Sequence, residues 1–527
     1  MKTNRRAFLR YGAAAWAGVK APPTFAASEP DPAAPVFRTS NTRWQAAYDR
    51  ALAVLAGNVR TLPRYPKPVL IEGANYAGIW MECGPHEALV YRKFRPDVAR
   101  NCHSVFFELQ RPDGQFPANN KVSETGFGQI QMVISLAATA WELAQAAGDG
   151  ELLRTAYSAC SAWDDWLVKN RNTRGTGLIE GFCTYDTGHD NSPRWAGIPP
   201  QCPDKDARRY PPIPTLPRLC PDLSATVYGG RIALAAMAAA MGKTAESDRW
   251  TESAHQIRSS ILSRLYVPED AAFYDLDAQD RFVRIRCDIL TRMCGEHVPD
   301  RALFDDLWTR QIHNPNAFWA PYPLPSVALD DPLFVRPIPR NSWGGASQAL
   351  TALRAGRWFD HYGRSAEFTV MMDRWCEAIL NDTTFRQQMD PLNGAFTQAD
   401  MPGYSPNALV MLDYTWRLAG VREEVDTLHW NVRPGHPAAE SARFQMRTDG
   451  GRSAELFYGT DKQGAELRLA GKSLGRIEGG AVRLVTDKAG APRELLGIGE
   501  QPQTVTLRLT GRSSLKLAVD ANQRVAL

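Results

Sequence analysis

From about residue 40 to residue 420 the apolar positions recur at helical spacing, as in Ile130, Val133, Ile134, Ala137 and Trp141, and again in Phe368, Met371, Met372, Trp375 and Ile379. Strand-like alternation is scarce over the same stretch. Three segments end on the same punctuation, Ala147-Gly148, Met241-Gly242 and Ala419-Gly420, which predicts helices closed by a left-handed glycine. Between the helical segments run loops rich in Pro, Gly, Trp and Asp, notably 171–221, 311–345 and 381–406. These are far longer than the connections that join packed helices, and long loops on a rigid scaffold are where function concentrates.

After Gly420 the period changes to two, in Ala442 to Met446, Ala465 to Leu469, Thr504 to Leu509 and Leu515 to Val519, with turns such as Asp449 to Gly451 between them. The pattern predicts a small antiparallel β domain over 421–527, sandwich-like, behind a mainly α domain over 28–420. Periodicity alone fixes the latter as a helical bundle or toroid; roughly ten to twelve paired helices followed by a β sandwich make an (α/α)6 toroid with an accessory domain.

The chain has 527 residues, 44% of them hydrophobic, enough for a large core, and its formal net charge of +4 is spread without runs of like sign. That distribution offers no basic patch for nucleic acid and suits a small neutral ligand such as a carbohydrate. The first 27 residues read differently: a paired-arginine cluster (Asn4-Arg5-Arg6-Ala7-Phe8-Leu9-Arg10) leads into a short, weakly apolar stretch ending near Ala26-Ala27-Ser28. This is the plan of a twin-arginine signal peptide, too short to span a bilayer, and it predicts export to the periplasm or beyond. Nine cysteines contain no Cys-x-x-Cys pair and the nine histidines are scattered, so no structural zinc site is expected; no Asp-x-Asp-x-Asp loop supports calcium, and no cofactor is expected. Cys202 and Cys220 bracket a proline-rich loop and are the candidate disulfide pair.

Candidate chemistry concentrates in Tyr185-Asp-Thr-Gly-His-Asp-Asn-Ser-Pro-Arg-Trp195. Asp186 and Asp190 supply carboxyls, Pro193 stiffens the backbone, Arg194 supplies a charge partner and Trp195 a stacking face, which are the parts of a sugar subsite. The same composition would also serve a surface loop held by an Asx turn and an ion pair.

The Gly-His-Asp-Asn-Ser-Pro-Arg-Trp string resembles the Gly-Met-Asp-Asn-Ser-Pro-Arg-Trp motif of the inverting toroid glycosidases, a clan that includes processing α-glucosidase I, trehalase and mannosylglycerate hydrolase. Other segments follow that clan's order: Trp80-Met-Glu82, Gln110 to Pro117, Pro221-Asp-Leu-Ser-Ala225, Pro325-Ser326, Asn341-Ser-Trp-Gly344 and Phe385 to Gly394. The resemblance covers most of residues 75–420. It implies an exo-acting, inverting hydrolase with Asp190 as general acid. It also implies Trp80 and Trp343 as stacking platforms, and Glu82 and Asp222 as acceptors for sugar hydroxyls.

One departure bears on mechanism. The clan carries a Glu as water-activating base in a Phe-Trp-Glu-Asn-Tyr-Asn/Asp-Pro segment, and this chain has Phe385-Arg-Gln-Gln-Met-Asp-Pro391. Gln387 stands at the Glu position, and an amide orients a water without deprotonating it. Asp390, in the same loop, is the candidate base, although it equally fits a turn cap ahead of Pro391. Two other classes stay open on the sequence alone: a non-catalytic carbohydrate-binding protein, motivated by Gln387, and a polysaccharide lyase on the same toroid.

Overall fold

The computed structural model describes residues 34–527, so the predicted signal peptide lies outside the described residues. Twelve α-helices occur among them: α1 (Thr42–Asn58), α2 (Gly84–Tyr91), α3 (Pro96–Glu108), α4 (Leu136–Ala147), α5 (Gly150–Asn170), α6 (Pro221–Ala240), α7 (Thr244–Arg264), α8 (Ile289–Gly295), α9 (Arg301–Leu307), α10 (Ala349–Ala355), α11 (Ser365–Asn381) and α12 (Ser405–Ala419). The even-numbered helices touch in sequence, α2 to α4, α6, α8, α10 and α12, and α12 returns to α2, closing an inner ring. Outside this ring α3 packs against α2 and α4, α5 against α4 and α6, and α7 against α6, and α11 and α1 both lie against α12.

Inner helices meet neighbours on every side, so their sequences are apolar around most of the circumference. α6 shows this: it is long and apolar enough to cross a membrane by length and composition, and it is flanked by α4, α5, α7 and α8. α12 is buried along its whole length. Local signals agree at several helix starts, where Asn41, Ser135, Asp149 and Asp300 accept from backbone N–H groups of the first turn.

The strands after Gly420 form two antiparallel sheets. One runs Val36–Arg38, Arg443–Arg447, Ser453–Tyr458, Gly464–Leu469, Lys472–Glu478, Gln503–Leu509 and Leu515–Val519; the other runs Val421–Glu423, Thr427–Val432, Val482–Asp487, Pro492–Gly497 and Arg524–Ala526. Alternate residues such as Ala454, Leu456 and Tyr458 point inward. Val36–Arg38, which precedes the helices in sequence, pairs with Arg443–Arg447, and the buried apolar residues of helices and sheets form one continuous core through contacts such as Phe94, Trp416 and Phe444.

Two local expectations need correction. The helical spacing from Ile130 does not begin a helix: residues 127–135 are irregular and α4 starts at Leu136. The backbone there is committed elsewhere, because Ile130 N–H donates to the Asp186 carboxylate and Met132 N–H to the Asp186 carbonyl. Gly148 and Gly242 do take the left-handed conformation, but Gly420 is extended; its lack of a side chain admits Trp416 and Phe444, which a Cβ would meet at 3.0 and 3.1 Å.

Candidate active site

The loop 182–195 is folded by its own polar groups. Asp186 is fully buried and accepts from the N–H groups of Ile130 (2.9 Å), Phe182 (2.7 Å) and Cys183 (3.3 Å) and from Arg171 (3.4 Å). Arg194 is equally buried and holds two carboxylates at once: Asp222 at 2.8 Å through both terminal nitrogens, and Asp275 at 2.8 and 2.6 Å. Its Nη1 also donates to His189 Nδ1 at 2.8 Å, so the imidazole proton sits on Nε2 and is donated to Asp288. Arg292, four residues after Asp288 on α8, bonds Asp288, Asp222 and the Thr187 carbonyl.

This network fixes charge states. Burial works against the Asp222 carboxylate, yet Arg194 and Arg292 outweigh it and hold the group down to about 2. Burial, with Arg292 beside it, pushes the His189 imidazolium down to about 4, so His189 is neutral at physiological pH.

Asp190 follows His189 and projects differently, being partly exposed. Its Oδ2 accepts from Asn341 Nδ2 at 2.9 Å, and its carbonyl accepts from the Trp343 N–H at 3.0 Å. Asn341 Oδ1 accepts from Gln387 Nε2 at 3.1 Å, and Gln387 Oε1 accepts from the Tyr76 hydroxyl at 2.9 Å. Tyr76, Gln387, Asn341 and Asp190 thus form one hydrogen-bonded chain. Burial raises Asp190 to about 6, and Asn341 opposes that rise.

Glu82 is the second partly exposed carboxyl here, just past the strand Gly78–Trp80. Its Oε1 accepts from Gln131 at 3.1 Å. Its Oε2 lies against Gly188, where a Cβ would come within 1.9 Å of it, so the Gly-His-Asp turn needs glycine for this close approach as well as for its φ of +64°. Burial and the charge of Asp190 raise Glu82 to about 7, with Arg292 and Arg354 pulling the other way. Asp190 and Glu82 are therefore both displaced toward neutral pH, where carboxyls that give or take a proton in a reaction work.

Of the residues singled out in the sequence, Asp190, Glu82, Trp80 and Gln387 come together. Trp80 is partly exposed and meets Tyr76 edge-on at 5.8 Å, which leaves it fit for stacking. Five others are corrected. Asp186, Arg194 and Asp222 are consumed by the buried network. Trp195 is buried with its indole N–H on Thr187 at 2.8 Å. Trp343 is buried beside His189, with the Arg292 and Arg354 guanidinium carbons 5.4 and 5.8 Å from its ring. All five brace the site and none presents a face to a sugar.

Asp390 caps its own turn: Oδ1 accepts from Leu392 N–H at 2.8 Å and Oδ2 from Arg336 at 3.3 Å. Cys202 and Cys220 are free thiols, and the Cys183 thiol, not Cys220, hydrogen-bonds the Cys202 sulfur. Sequence reasoning missed Tyr76, Asn341, His189, Asp275, Asp288 and Arg292. Of these, His189 and Asn341 lay inside motif segments without being given a role, and the Asp288/Arg292 spacing of four residues carried a local signal.

Twelve helices whose even-numbered members close an inner ring fit the (α/α)6 architecture of the six-hairpin glycosidases. Residues 76–416 match the family described as mannosylglycerate hydrolase MGH1-like glycoside hydrolase domain, and the chain belongs to it: the protein is a glycoside hydrolase. Solved structures agree in fold. The GH63 mannosylglycerate hydrolase from Thermus thermophilus in complex with glucose is 17% identical, with a TM-score of 0.56 over 70% of this chain and 99% of that one. A sialidase is 16% identical, with a TM-score of 0.64 over 86% of this chain and 42% of its own. Neutral trehalase from Saccharomyces cerevisiae is 13% identical, with a TM-score of 0.52 over 69% and 79%. No curated protein sequence matches.

Proposed function

We propose that the protein is an exo-acting, inverting glycoside hydrolase in which Asp190 protonates the leaving oxygen while a second carboxylate activates water on the opposite face of the sugar. The observation that carries this reading is the setting of Asp190. It is partly exposed yet desolvated enough to stay protonated up to about pH 6. It is also held by Asn341 with no cation among the groups that shift it. That is how a fold keeps a carboxylic acid as a proton donor.

Glu82 and Asp190 expose only a fraction of their surface, which suits a terminal sugar entering among loops better than a polysaccharide lying across them. Trp80 would stack on the apolar face of that sugar and Tyr76 and Gln387 would meet its hydroxyls. The relatives' glucose-bound and trehalase structures make α-glucosides, α-mannosides and short oligosaccharides the first substrates to try. The paired-arginine start supports placing this activity in the periplasm or the exterior.

The test is Asp190→Asn against such a panel. Loss of at least a hundredfold in kcat with the melting temperature retained supports the assignment, and unchanged turnover removes it.

A further inference from the structure

With an amide at Gln387, water activation needs another group. We infer that Glu82 is the catalytic base, a role that rests on Asp190 being the acid.

The carboxyls around Asp190 can be taken one by one. Asp222, Asp275 and Asp288 are buried and paired with arginines. Asp186 accepts three backbone N–H groups. Glu72 is buried and accepts the Tyr404 hydroxyl at 2.6 Å; burial and the neighbouring Glu82 and Glu87 raise it well above the ordinary carboxylate range, so it is neutral. Glu87 is 1% exposed and burial lifts it to about 8. Asp390 is bound into its turn and to Arg336. Glu82 alone combines partial exposure, electrostatic contact with Asp190, and nearby cations, Arg292 and Arg354, that favour its charged form.

Its aim is fixed from two sides. Gln131 holds Oε1 by a hydrogen bond, and Oε2 lies against the backbone at Gly188, so the carboxylate sits beside the loop that carries Asp190 two residues on. Gln387, engaged with Tyr76 and Asn341, becomes a positioning residue for the acid.

In the step, a water held by Glu82 attacks the anomeric carbon and gives its proton to the carboxylate. The bond from that carbon to the leaving oxygen breaks, and the oxygen takes the proton of Asp190. Glu82 ends protonated and Asp190 ionised, and exchange with solvent restores both.

Glycosyl fluorides separate the two roles, because fluoride leaves without a proton donor. On the fluoride of whichever sugar the wild type releases, Asp190→Asn should keep activity within about tenfold, while Glu82→Gln should lose about 10²–10⁴-fold on fluoride and glycoside alike. Azide added to Glu82→Ala should restore turnover and give the glycosyl azide of inverted configuration, which a misfolded variant could not. Fluoride hydrolysis by Glu82→Gln within tenfold of wild type would overturn the inference, as would azide rescue of Asp390→Ala instead. So would a wild type unable to hydrolyse the fluoride of the sugar it releases. If Asp190→Asn retains full activity on glycosides, the assignment of the acid fails, and with it this one; if it loses glycoside turnover but Glu82→Gln does not, only Glu82 is wrong.

Discussion

Glu82 and Gly188 occupy touching positions: the space a Gly188 side chain would need is filled by Glu82 Oε2, 1.9 Å from an ideal Cβ. Gly188 also has φ of +64°, a region that costs other residues about 1 kcal/mol. Gly188→Ala should therefore displace the carboxylate and lower kcat by about a hundredfold, the scale expected when a reacting group is misplaced by about 1 Å. Steady-state kinetics beside a melting curve checks this, since the fold should survive.

Asn341 donates to Asp190 and favours its ionised form. Asn341→Ala removes that donor, so the Asp190 pKa rises above about 6. Carboxyl-carbon NMR should show the Asp190 titration moving to higher pH, while kcat falls as Asp190 loses its orientation. A titration that stays in place would detach Asn341 from the acid.

Arg194 joins Asp222, Asp275 and His189 in a buried site. Arg194→Met leaves two buried carboxylates without their shared cation, a loss of about 3–5 kcal/mol. The variant should show a much lower denaturation midpoint or fail to accumulate as folded protein, unlike Asp190→Asn.

The motif that carried the acid was readable because Asp190 lies in one contiguous string. Its neighbours were misassigned for a geometric reason: a loop sequence does not say which side chains point inward, and Asp186, Arg194 and Trp195 turn back into the protein while Asp190 turns out. The partners that pull Asp186 and Arg194 inward, Ile130 and Asp275, lie 56 and 81 residues away. The ring of helices and the change to strands after Gly420 were legible because each follows a local period. The start of α4 was not, because hydrogen bonds from the Ile130 and Met132 N–H groups to the distant Asp186 hold residues 127–135 in an irregular path.

Glu82 is ordinarily ionised above about 4.5 and is raised to about 7 in the fold, first by burial. Between those values the native state holds a proton the unfolded chain has lost, so its ionisation erodes stability as pH rises toward 7. Glu82→Gln should raise the melting temperature by a few degrees at pH 8 and by little or nothing at pH 4, read by calorimetry across pH.

The most direct test follows the anomeric proton signals of the first sugar released by the wild type, by proton NMR within the first minutes, before mutarotation. The account predicts that the sugar first appears as the anomer opposite to the linkage cleaved, and that Asp190→Asn releases none. A sugar first appearing with the configuration of the linkage would contradict it, since a retained product requires a covalent intermediate and not the single displacement assigned to Asp190 and Glu82.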